Sequence, residues 1–441
     1  MASMHALRMG LCAVLCVTAI ACSGGGGGGT AGSSSGGGVG GSSSGGTSSS
    51  SSSGGGSSSS SSSGGTSSGG GTGNVATVII DQGPSNASVN TLFATVTVCV
   101  PGSTTSCQTI DHIQVDTGSY GLRILAPVLT LTLPVETVTS GNSLVECTQF
   151  VDGYSWGPVV SADLQIAGET AHSVPMQVIG DPRFTNIPTT CSSTGGTQED
   201  TVAKFGANGI LGVGPFELDC GDCDTVTHGL YYACAATCSE TTVPANLQVP
   251  NPVTHFPADN NGVIVVLPSV AAGGASNVSG SLIFGIDTQT NNASGTQTVL
   301  TVDQNAELLV NFNGQAFAQS FIDSGSNGIY FTDKSISTCV APPNDPSSQI
   351  VDFYCPANTL TLPVSIQGMN GTMTNNLTFD VGNAQTMLNN NFDAYPELAG
   401  TVPAGNAGTF DYGLPFFYGR RVAVAVENDK TSVGTGPYIA F

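Results

Sequence analysis

The chain of 441 residues carries 30 Asp and Glu against 8 Lys and Arg, and its formal net charge is −22. Because a surface this acidic repels phosphate groups, it excludes nucleic-acid binding and docking to anionic lipid through a basic patch. Residues 74–441 suffice for two domains of about 100–200 residues each. Their richness in Thr, Ser, Val and Gly is typical of β-rich exported proteins.

The first 22 residues have the pattern of an export signal. Arg8 precedes an apolar stretch at 11–20 that is too short to span a membrane as a helix. The segment ends at Ala21-Cys22-Ser23, which resembles a bacterial lipoprotein cleavage site with Cys22 as the acylated residue. An ordinary signal peptide cut near Ala21 is the alternative. Ser23 after Cys22 favours the outer membrane over retention at the inner membrane, with the protein on either the periplasmic or the cell-surface face.

Residues 23–73 are almost entirely Ser and Gly. A chain of this composition behaves as a flexible coil, with a root-mean-square reach of about 35–45 Å. The tract lacks the strand, Lys and helix that would make it a phosphate-binding loop. We expect a disordered tether that holds a globular part away from the membrane.

Ten cysteines follow the tether: Cys99, Cys107, Cys147, Cys191, Cys220, Cys223, Cys234, Cys238, Cys339 and Cys355. An even number in an exported chain predicts disulfides, five if all are paired. The first two and the last two are close enough in sequence to pair locally. The four at 220–238 fit either two nested disulfides, which oxidising surroundings favour, or a four-thiolate zinc site.

The globular part reads as strands and turns. The runs 94–100, 129–133, 263–267 and 422–426 are alternating or fully apolar, and they are short and rich in β-branched residues. Clusters of Gly, Asn, Pro and Ser separate them. Long stretches of helical periodicity are missing from the sequence, which therefore predicts a mainly β fold.

One ten-residue pattern occurs twice. Residues 115–124 read VDTGSYGLRI, and residues 322–331 read IDSGSNGIYF. Both follow the order apolar, Asp, Thr or Ser, Gly, Ser, any residue, Gly, Leu or Ile, any residue, apolar. A single Asp-Thr/Ser-Gly triplet would mean little, but two with the same continuation predict a duplicated lobe. We place an N-terminal β lobe at 74–262 and a C-terminal β lobe at 263–441.

The two triplets define a candidate catalytic pair, Asp116 and Asp323. Related by a two-fold axis, the turns would bring these carboxyls side by side, where both cannot ionise and one proton is shared. One carboxylate would then act as general base on a water molecule while the other, protonated, donates to a carbonyl oxygen. This arrangement hydrolyses an amide bond without a metal, a cofactor or a covalent intermediate.

At this point the sequence resembles the pepsin-like aspartic peptidases. Segments 205–214, 280–287 and 410–427 are similar to further segments of that family and occur in the family's order, so that the resemblance covers about 75–441. The chain also resembles bacterial lipoproteins that carry the same two Asp motifs. The resemblance implies a bilobal, mainly β fold with a cleft between the lobes and a polypeptide substrate.

The resemblance also implies roles for the residues around the pair. Thr117 and Ser324 would reach across the two-fold axis and lock the two turns. Ser119 and Ser326 would hydrogen-bond the outer carboxylate oxygens. Gly118 and Gly325, which complete the triplets, would let the two turns approach each other closely.

The sequence departs from the family near the flap, the β-hairpin that closes over a substrate. Arg123 occupies a position where the family has Trp, and we expect it to face outward because apolar residues alternate with it. A flap is expected near 149–157, with Phe150 or Tyr154 at the family's tyrosine position. Trp156 is a candidate replacement for the missing Trp. Alternatively, Tyr154 and Trp156 belong to the core of the first lobe.

Two functions follow as hypotheses. The first is an aspartic endopeptidase, a monomer held at the outer membrane by the acylated Cys22 and suited to acid by its few cations. The second is a catalytically inactive protein of the same fold that binds peptide, glycan or protein. The second would be favoured if Arg123 lay beside the pair, since a cation there would keep both carboxyls ionised.

The tether has no basic residues of the kind that an inhibitory prosegment uses to pair with two acidic groups. We therefore predict that the exported protein needs no further processing and that its mature N-terminus is residue 22. Mass spectrometry of the N-terminal peptide checks this. A start well inside 74–441 would contradict it.

Overall fold

Three of the four short runs predicted as strands, 94–100, 263–267 and 422–426, coincide with strands to within one residue, whereas 129–133 does not form a strand. The structure is a computed structural model that describes residues 73–151, 153–193, 196–343, 348–374, 377–403 and 406–441. The expected leader, the tether up to residue 72 and the lipidation residue Cys22 lie outside the described residues.

The strands of the first half of the chain are β1 (Val75–Ile80), β2 (Phe93–Cys99), β3 (Cys107–Asp116), β4 (Tyr120–Leu125), β5 (Ser143–Gln149), β6 (Gly153–Ile166), β7 (Glu169–Ile179), β8 (Thr197–Gln198), β9 (Gly209–Val213), β10 (Tyr231–Cys234), β11 (Cys238–Glu240) and β12 (Gly262–Val266). Those of the second half are β13 (Val278–Phe284), β14 (Val299–Thr301), β15 (Leu308–Phe312), β16 (Gln315–Ile322), β17 (Ile329–Tyr330), β18 (Leu360–Gln367), β19 (Leu377–Val381), β20 (Ala399–Gly400), β21 (Asp411–Tyr412), β22 (Arg421–Ala425), β23 (Lys430–Thr431), β24 (Gly434–Thr435) and β25 (Tyr438–Ala440).

The helices are short. The α-helices are α1 (Thr189–Ser192), α2 (Val202–Phe205) and α3 (Ala384–Leu388), and 3₁₀ turns lie at Ala126–Val128, Ala245–Leu247, Pro252–His255, Gln349–Asp352 and Leu414–Phe417. Within the described ranges, no helix has the length and apolar character needed to cross a membrane.

Strands from both halves of the chain share one large sheet. It has sixteen strands, and β1 lies between β2 of the first half and β13 of the second half, both of which it pairs with in antiparallel orientation. A seven-stranded sheet contains β15 to β21 without gaps in sequence, and β23 pairs with β24. The expected lobe boundary at residues 262 and 263 falls at the start of β12 and stays a prediction.

The same three-strand unit occurs twice and carries the two Asp motifs. In the first half β9 lies between β3, which it pairs with in parallel, and β4, which runs antiparallel to it. In the second half β21 lies in the same way between β16 and β17. This repeat, together with the predominance of strands, confirms the mainly β, bilobal pepsin-like fold that the sequence predicts.

An aromatic cluster supports the second unit. The rings of Phe331 and Phe410 stack with centroids 4.8 Å apart, and those of Phe410 and Tyr412 with centroids 4.7 Å apart. Phe312 and Phe379 both contact the ring of Phe410 edge-on. Aromatic pairs contribute about 0.5–1.5 kcal/mol each beyond the area that they bury, so the cluster fixes β21 against β16 and β17.

All ten cysteines of the globular part are paired. The expected local pairs Cys99–Cys107 and Cys339–Cys355 are present, and Cys147–Cys191 closes a longer loop.

The expected nested pairing at 220–238 is wrong. Cys220 pairs with Cys223 and Cys234 with Cys238. The second pair forms because Cys234 and Cys238 are directly opposite each other on β10 and β11. With their sulfurs in disulfides, these four residues offer no thiolate for the alternative zinc site.

Removing the Cys147–Cys191 disulfide should destabilise the fold more than removing Cys234–Cys238. Their sequence separations are 44 and 4, and the chain-entropy relation gives losses of about 4 and about 2 kcal/mol in the free energy of unfolding. Urea unfolding of the two double Cys→Ala variants measures this difference. Equal losses would contradict it.

Candidate active site

The two Asp residues end matching strands and sit in matching turns. Asp116 is the last residue of β3, and Asp323 follows directly after β16. The N–H of Gly118 donates to Asp116 Oδ1 (2.8 Å), and the N–H of Gly325 donates to Asp323 Oδ1 (2.7 Å). An Asp side chain that accepts from the backbone two residues on stabilises such a turn. Both Asp residues are fully buried.

Thr117 and Ser324 lock the two turns together. The N–H of Thr117 donates to Ser324 Oγ (3.1 Å), and the N–H of Ser324 donates to Thr117 Oγ1 (3.0 Å). Each hydroxyl then donates onward, Ser324 to the carbonyl of Val115 (2.8 Å) and Thr117 to the carbonyl of Ile322 (3.3 Å). The strand that carries one Asp is thereby bonded to the turn that carries the other.

Both carboxyls lie close against Gly325. A Cβ on Gly325 would lie 2.6 Å from Asp116 Oδ1 and 3.0 Å from Asp323 Oδ1. Any other residue at 325 would therefore collide with the pair. The side-chain N–H of Gln114 donates to the carbonyl of Gly325 (2.8 Å) and fixes the turn from the first half. Gln114 was not anticipated from the sequence, because it lies outside the repeated pattern.

Burial and mutual repulsion give the two carboxyls different pKa values. Burial, then the charge of Asp323 and the hydrogen bond to it, raise the pKa of Asp116 well above its ordinary value. Burial also raises the pKa of Asp323, but hydrogen bonds from Asp116, Ser326 and the backbone of Gly325 and Gly118 oppose that rise. The two carboxyls are therefore coupled and titrate as a pair that shares one proton, and more of the hydrogen bonds that favour the ionised form act on Asp323 than on Asp116.

The two serines that follow the triplets differ. Ser326 Oγ donates to Asp323 Oδ2 (2.8 Å). Ser119 is buried beside Asp116 and lowers the pKa of that carboxyl, yet its Oγ has no hydrogen-bond partner of ordinary geometry, nor has Asp116 Oδ2. We regard Ser119 as an electrostatic neighbour rather than as a bonded one. The site is therefore not symmetric.

A third carboxyl, that of Asp411, adjoins the site and was missed from the sequence. It is fully buried on β21, and neither of its oxygens has a hydrogen-bond partner among the described residues. Burial and then the charge of Asp323 raise the pKa of Asp411 well above its ordinary value. The available signal was one acidic residue inside the otherwise apolar segment Phe410 to Tyr412.

Arg123 does not face outward, which corrects the expectation from the sequence, and it does not pair with either Asp. It is buried, with Nη2 at 2.5 Å from Glu146 Oε1 and 3.2 Å from Asp219 Oδ2. Its Nε donates to Thr148 Oγ1 (2.8 Å), and its Nη1 donates to the carbonyl of Tyr120 (2.5 Å). The alternation along β4 misled the prediction because both faces of this strand are covered.

The partners of Arg123 complete a buried polar cluster. Burial by itself would lower the pKa of Arg123, but the charges of Glu146 and Asp219 outweigh it and raise that pKa. Burial, followed by the charge of Glu146, raises the pKa of Asp219 well above its ordinary value. The hydroxyl of Tyr231 donates to Asp219 (2.7 Å). The cluster joins β4 to the β5–β6 hairpin.

Phe150 lies at the turn of that hairpin and packs toward the site. It is buried in a small apolar cluster with Ile210 on β9, and Phe205 contacts it edge-on with ring centroids 6.0 Å apart. β9 is the strand directly behind the first Asp turn. Of the three flap candidates, Phe150 is the one that contacts the unit carrying the pair.

Tyr154 and Trp156 belong to a different cluster. Both are buried with Tyr232 and the Cys147–Cys191 disulfide. The indole N–H of Trp156 donates to the carbonyl of Phe184 (2.7 Å), and its ring contacts Tyr232 edge-on. The structure thus places them in the core of the first half, in a hydrophobic cluster separate from that of Phe150.

One group in the described ranges has the composition of a metal site. Ligand atoms of Cys220, Asp222 and His228 lie within 4.8 Å of one another. The sulfur of Cys220 is bonded to Cys223, however, and a disulfide sulfur is a poor substitute for a thiolate ligand. The group does not fit a structural zinc ion.

Comparisons with known proteins give one family and one solved structure of note. The model of a family described as "Protein of unknown function (DUF3443)" matches residues 70–441. No curated protein matches the chain in sequence. Among solved structures, the chain is similar to an aspartic proteinase from Irpex lacteus, with 14% sequence identity and a TM-score of 0.46, over 83% of this chain and 96% of that chain.

Replacing Arg123 with Met should lower the free energy of unfolding by about 3–5 kcal/mol, because removal of one partner leaves buried carboxylates without compensation. Arg183→Met is the matched control. Arg183 pairs with Asp181 at 2.6 Å, but its side chain is 57% exposed, so that its loss should cost about 1 kcal/mol or less. Urea unfolding at neutral pH measures both losses, and equal effects would contradict the assignment.

Proposed function

We propose that this chain, which belongs to the family described as "Protein of unknown function (DUF3443)", is an aspartic endopeptidase. The observation that carries the proposal is the pair Asp116 and Asp323, fully buried, electrostatically coupled and held by the reciprocal hydrogen bonds of Thr117 and Ser324. Such a pair retains one proton over a range in which isolated carboxyls would both ionise.

The proposed reaction uses the difference between the two carboxyls. Asp323, the ionised member, takes a proton from water as the water oxygen attacks the peptide carbonyl carbon. Asp116, the protonated member, gives its proton to the carbonyl oxygen, and a gem-diol forms. When the C–N bond breaks, Asp323 passes its proton to the leaving nitrogen and a diol hydroxyl returns a proton to Asp116. The pair ends in its starting state.

The position of Arg123 supports this function over the inactive alternative. The alternative would be favoured by a cation beside the pair, which would keep both carboxyls ionised. In the described part of the chain, Arg123 instead forms ion pairs with Glu146 and Asp219. Because the Arg123 guanidinium is paired elsewhere, it does not hold both carboxyls ionised, and Asp116 and Asp323 can share one proton.

Further parts of the proposal concern the setting of the enzyme. We propose a monomer that acts on polypeptide and is tethered to the outer membrane through an acylated Cys22. The Ser/Gly tract at 23–73 would separate the enzyme from the lipid surface.

The full chain, with its disulfides formed, should cleave an unfolded protein in acid and lose activity as pH rises through the range in which Asp116 gives up its proton. Pepstatin should inhibit cleavage. Asp116→Asn and Asp323→Asn should each lower kcat/KM by at least about 10³-fold, since each removes an acid–base group. Peptide release between pH 3 and 7 measures this.

Asp111→Asn is the matched control. It makes the same chemical change outside the pair, at a side chain that is 67% exposed. Its activity should equal that of the wild type. Folded wild-type protein that cleaves nothing at any pH would refute the proposal and favour the binding protein.

A further inference from the structure

Asp411 shares a sheet face with Asp323. On the parallel strands β16 and β21, Phe321 is opposite Asp411 and Ile322 is opposite Tyr412. Ile322 and Tyr412 both point into the hydrophobic core. Because side chains alternate along a strand, Asp411 and Asp323 point to the other face. The backbone fixes this register, since the N–H of Asp323 donates to the carbonyl of Tyr412 (3.0 Å).

The surroundings of Asp411 are acidic. Asp323, following β16, is the charged group that acts on it, and Ser326 is its polar neighbour. From β17 on its other side, Tyr330 is directly opposite, and the hydroxyl of Tyr330 donates to Asn327. Asp116 faces the same centre from the first half. Within the described ranges Asp411 forms no ion pair.

Ser326 determines the protonation state in which Asp411 can form a hydrogen bond. A hydroxyl has one hydrogen to donate, and that of Ser326 goes to Asp323 Oδ2 (2.8 Å). Ser326 can therefore only accept from Asp411. Such a bond, which does not have ordinary hydrogen-bond geometry in this structure, requires a proton on Asp411. An ionised Asp411 would be a buried, unpaired charge next to a second negative charge, which is costly.

The first half lacks this arrangement. Ile210 occupies on β9 the place that Asp411 occupies on β21, because Ile210 is opposite Arg123 on β4 as Asp411 is opposite Tyr330 on β17. Ser119, the counterpart of Ser326, lowers the pKa of Asp116 but has an isoleucine rather than a carboxyl at the matching place on β9. Among the described residues, a carboxyl behind the serine is therefore found on the Asp323 side and not on the Asp116 side.

We propose that Asp411 is a positioning residue of the acid–base pair. In its protonated form it donates to Ser326, which keeps the hydrogen of Ser326 on Asp323, and this chain makes Asp323 the ionised base and Asp116 the acid. The inference rests on the proposed peptidase function. It adds one residue to the site. It also assigns the base and acid roles within the pair, which the two-fold repeat alone leaves undetermined.

The hydrogen bonds from Asp411 through Ser326 to Asp323 act at acidic pH. Burial, followed by the charge of Asp323, raises the pKa of Asp411 well above its ordinary value, so that Asp411 keeps its proton while Asp323 ionises. Its hydrogen bond then stabilises the carboxylate of Asp323 and lowers the pH at which the pair becomes active. When pH rises through the pKa of Asp411, the donor is lost and a repulsive charge replaces it.

Two substitutions separate the effect of the hydrogen-bond donor at residue 411 from the effect of side-chain size. Asp411→Ile copies Ile210 of the first half and removes the donor, whereas Asp411→Asn keeps an N–H that can donate to Ser326. In the full chain, Asp411→Ile should move the acidic limb of the kcat/KM profile up by about one pH unit, and lower kcat/KM below that limb about tenfold, as expected for one lost hydrogen bond to a charge. Asp411→Asn should keep the acidic limb of the wild type.

A double variant tests the route through Ser326. Ser326→Ala should shift the acidic limb in the same direction, and adding Asp411→Ile to it should shift the limb no further. If Asp411→Ile does not fold, Asp411→Ala removes the donor without adding bulk. An acidic limb that is the same in wild type and in the apolar variants, or one that moves equally in the Asn and Ile variants, would overturn the proposal.

A titration that needs no activity separates the two proposals. With ¹³C-labelled Asp carboxyls, NMR follows the ionisation of Asp323, assigned by its loss in Asp323→Asn. The ionisation should move to higher pH in Asp411→Ile and stay in Asp411→Asn. This shift without cleavage by the wild type would refute the peptidase and leave the role of Asp411 standing. Cleavage without the shift would refute the role of Asp411 alone.

Discussion

The reciprocal hydrogen bonds between Thr117 and Ser324 are the constraint on which the site depends. Two buried carboxyls repel each other as soon as both ionise, and nothing in either half alone would keep them together. The crossed bonds tie each turn to the strand behind the other, and Gly325 leaves room for both carboxyls. The fold thereby supplies the energy that holds a like-charged pair in one place, and the shared proton follows from that enforced proximity.

A symmetric backbone carries an asymmetric set of side chains. The units β3–β9–β4 and β16–β21–β17 have the same pairing, but Arg123 and Ile210 are opposite each other in the first and Tyr330 and Asp411 in the second. The acidic residue therefore lies beside Asp323 and has no counterpart beside Asp116. Such a difference biases the proton toward one carboxyl, whereas identical surroundings would leave the proton equally on both.

Arg123, the buried cation of the first half, stabilises the fold around the pair rather than acting on the pair itself. Arg123 lies two residues beyond Gly121 on the strand that leaves the first Asp turn, and its guanidinium is paired with Glu146 and Asp219. A buried charge is tolerated only when it is paired and hydrogen-bonded, as this one is. The cluster therefore connects the turn to the hairpin that bears Phe150. Because Arg123 is paired within this cluster, the electrostatic field at the pair is set by the three carboxyls there.

The sequence by itself determined what depends on neighbouring residues. Alternating β-branched runs gave the strands, and the repeated triplet identified Asp116 and Asp323, because the turn around each Asp is made by its own next residues. Only the tertiary structure decided the rest. Arg123 meets its partners 23 and 96 residues away, and Asp411 meets Asp323 through strand pairing. No local pattern encodes such contacts, since the free energy of a buried charge depends on which distant groups surround it.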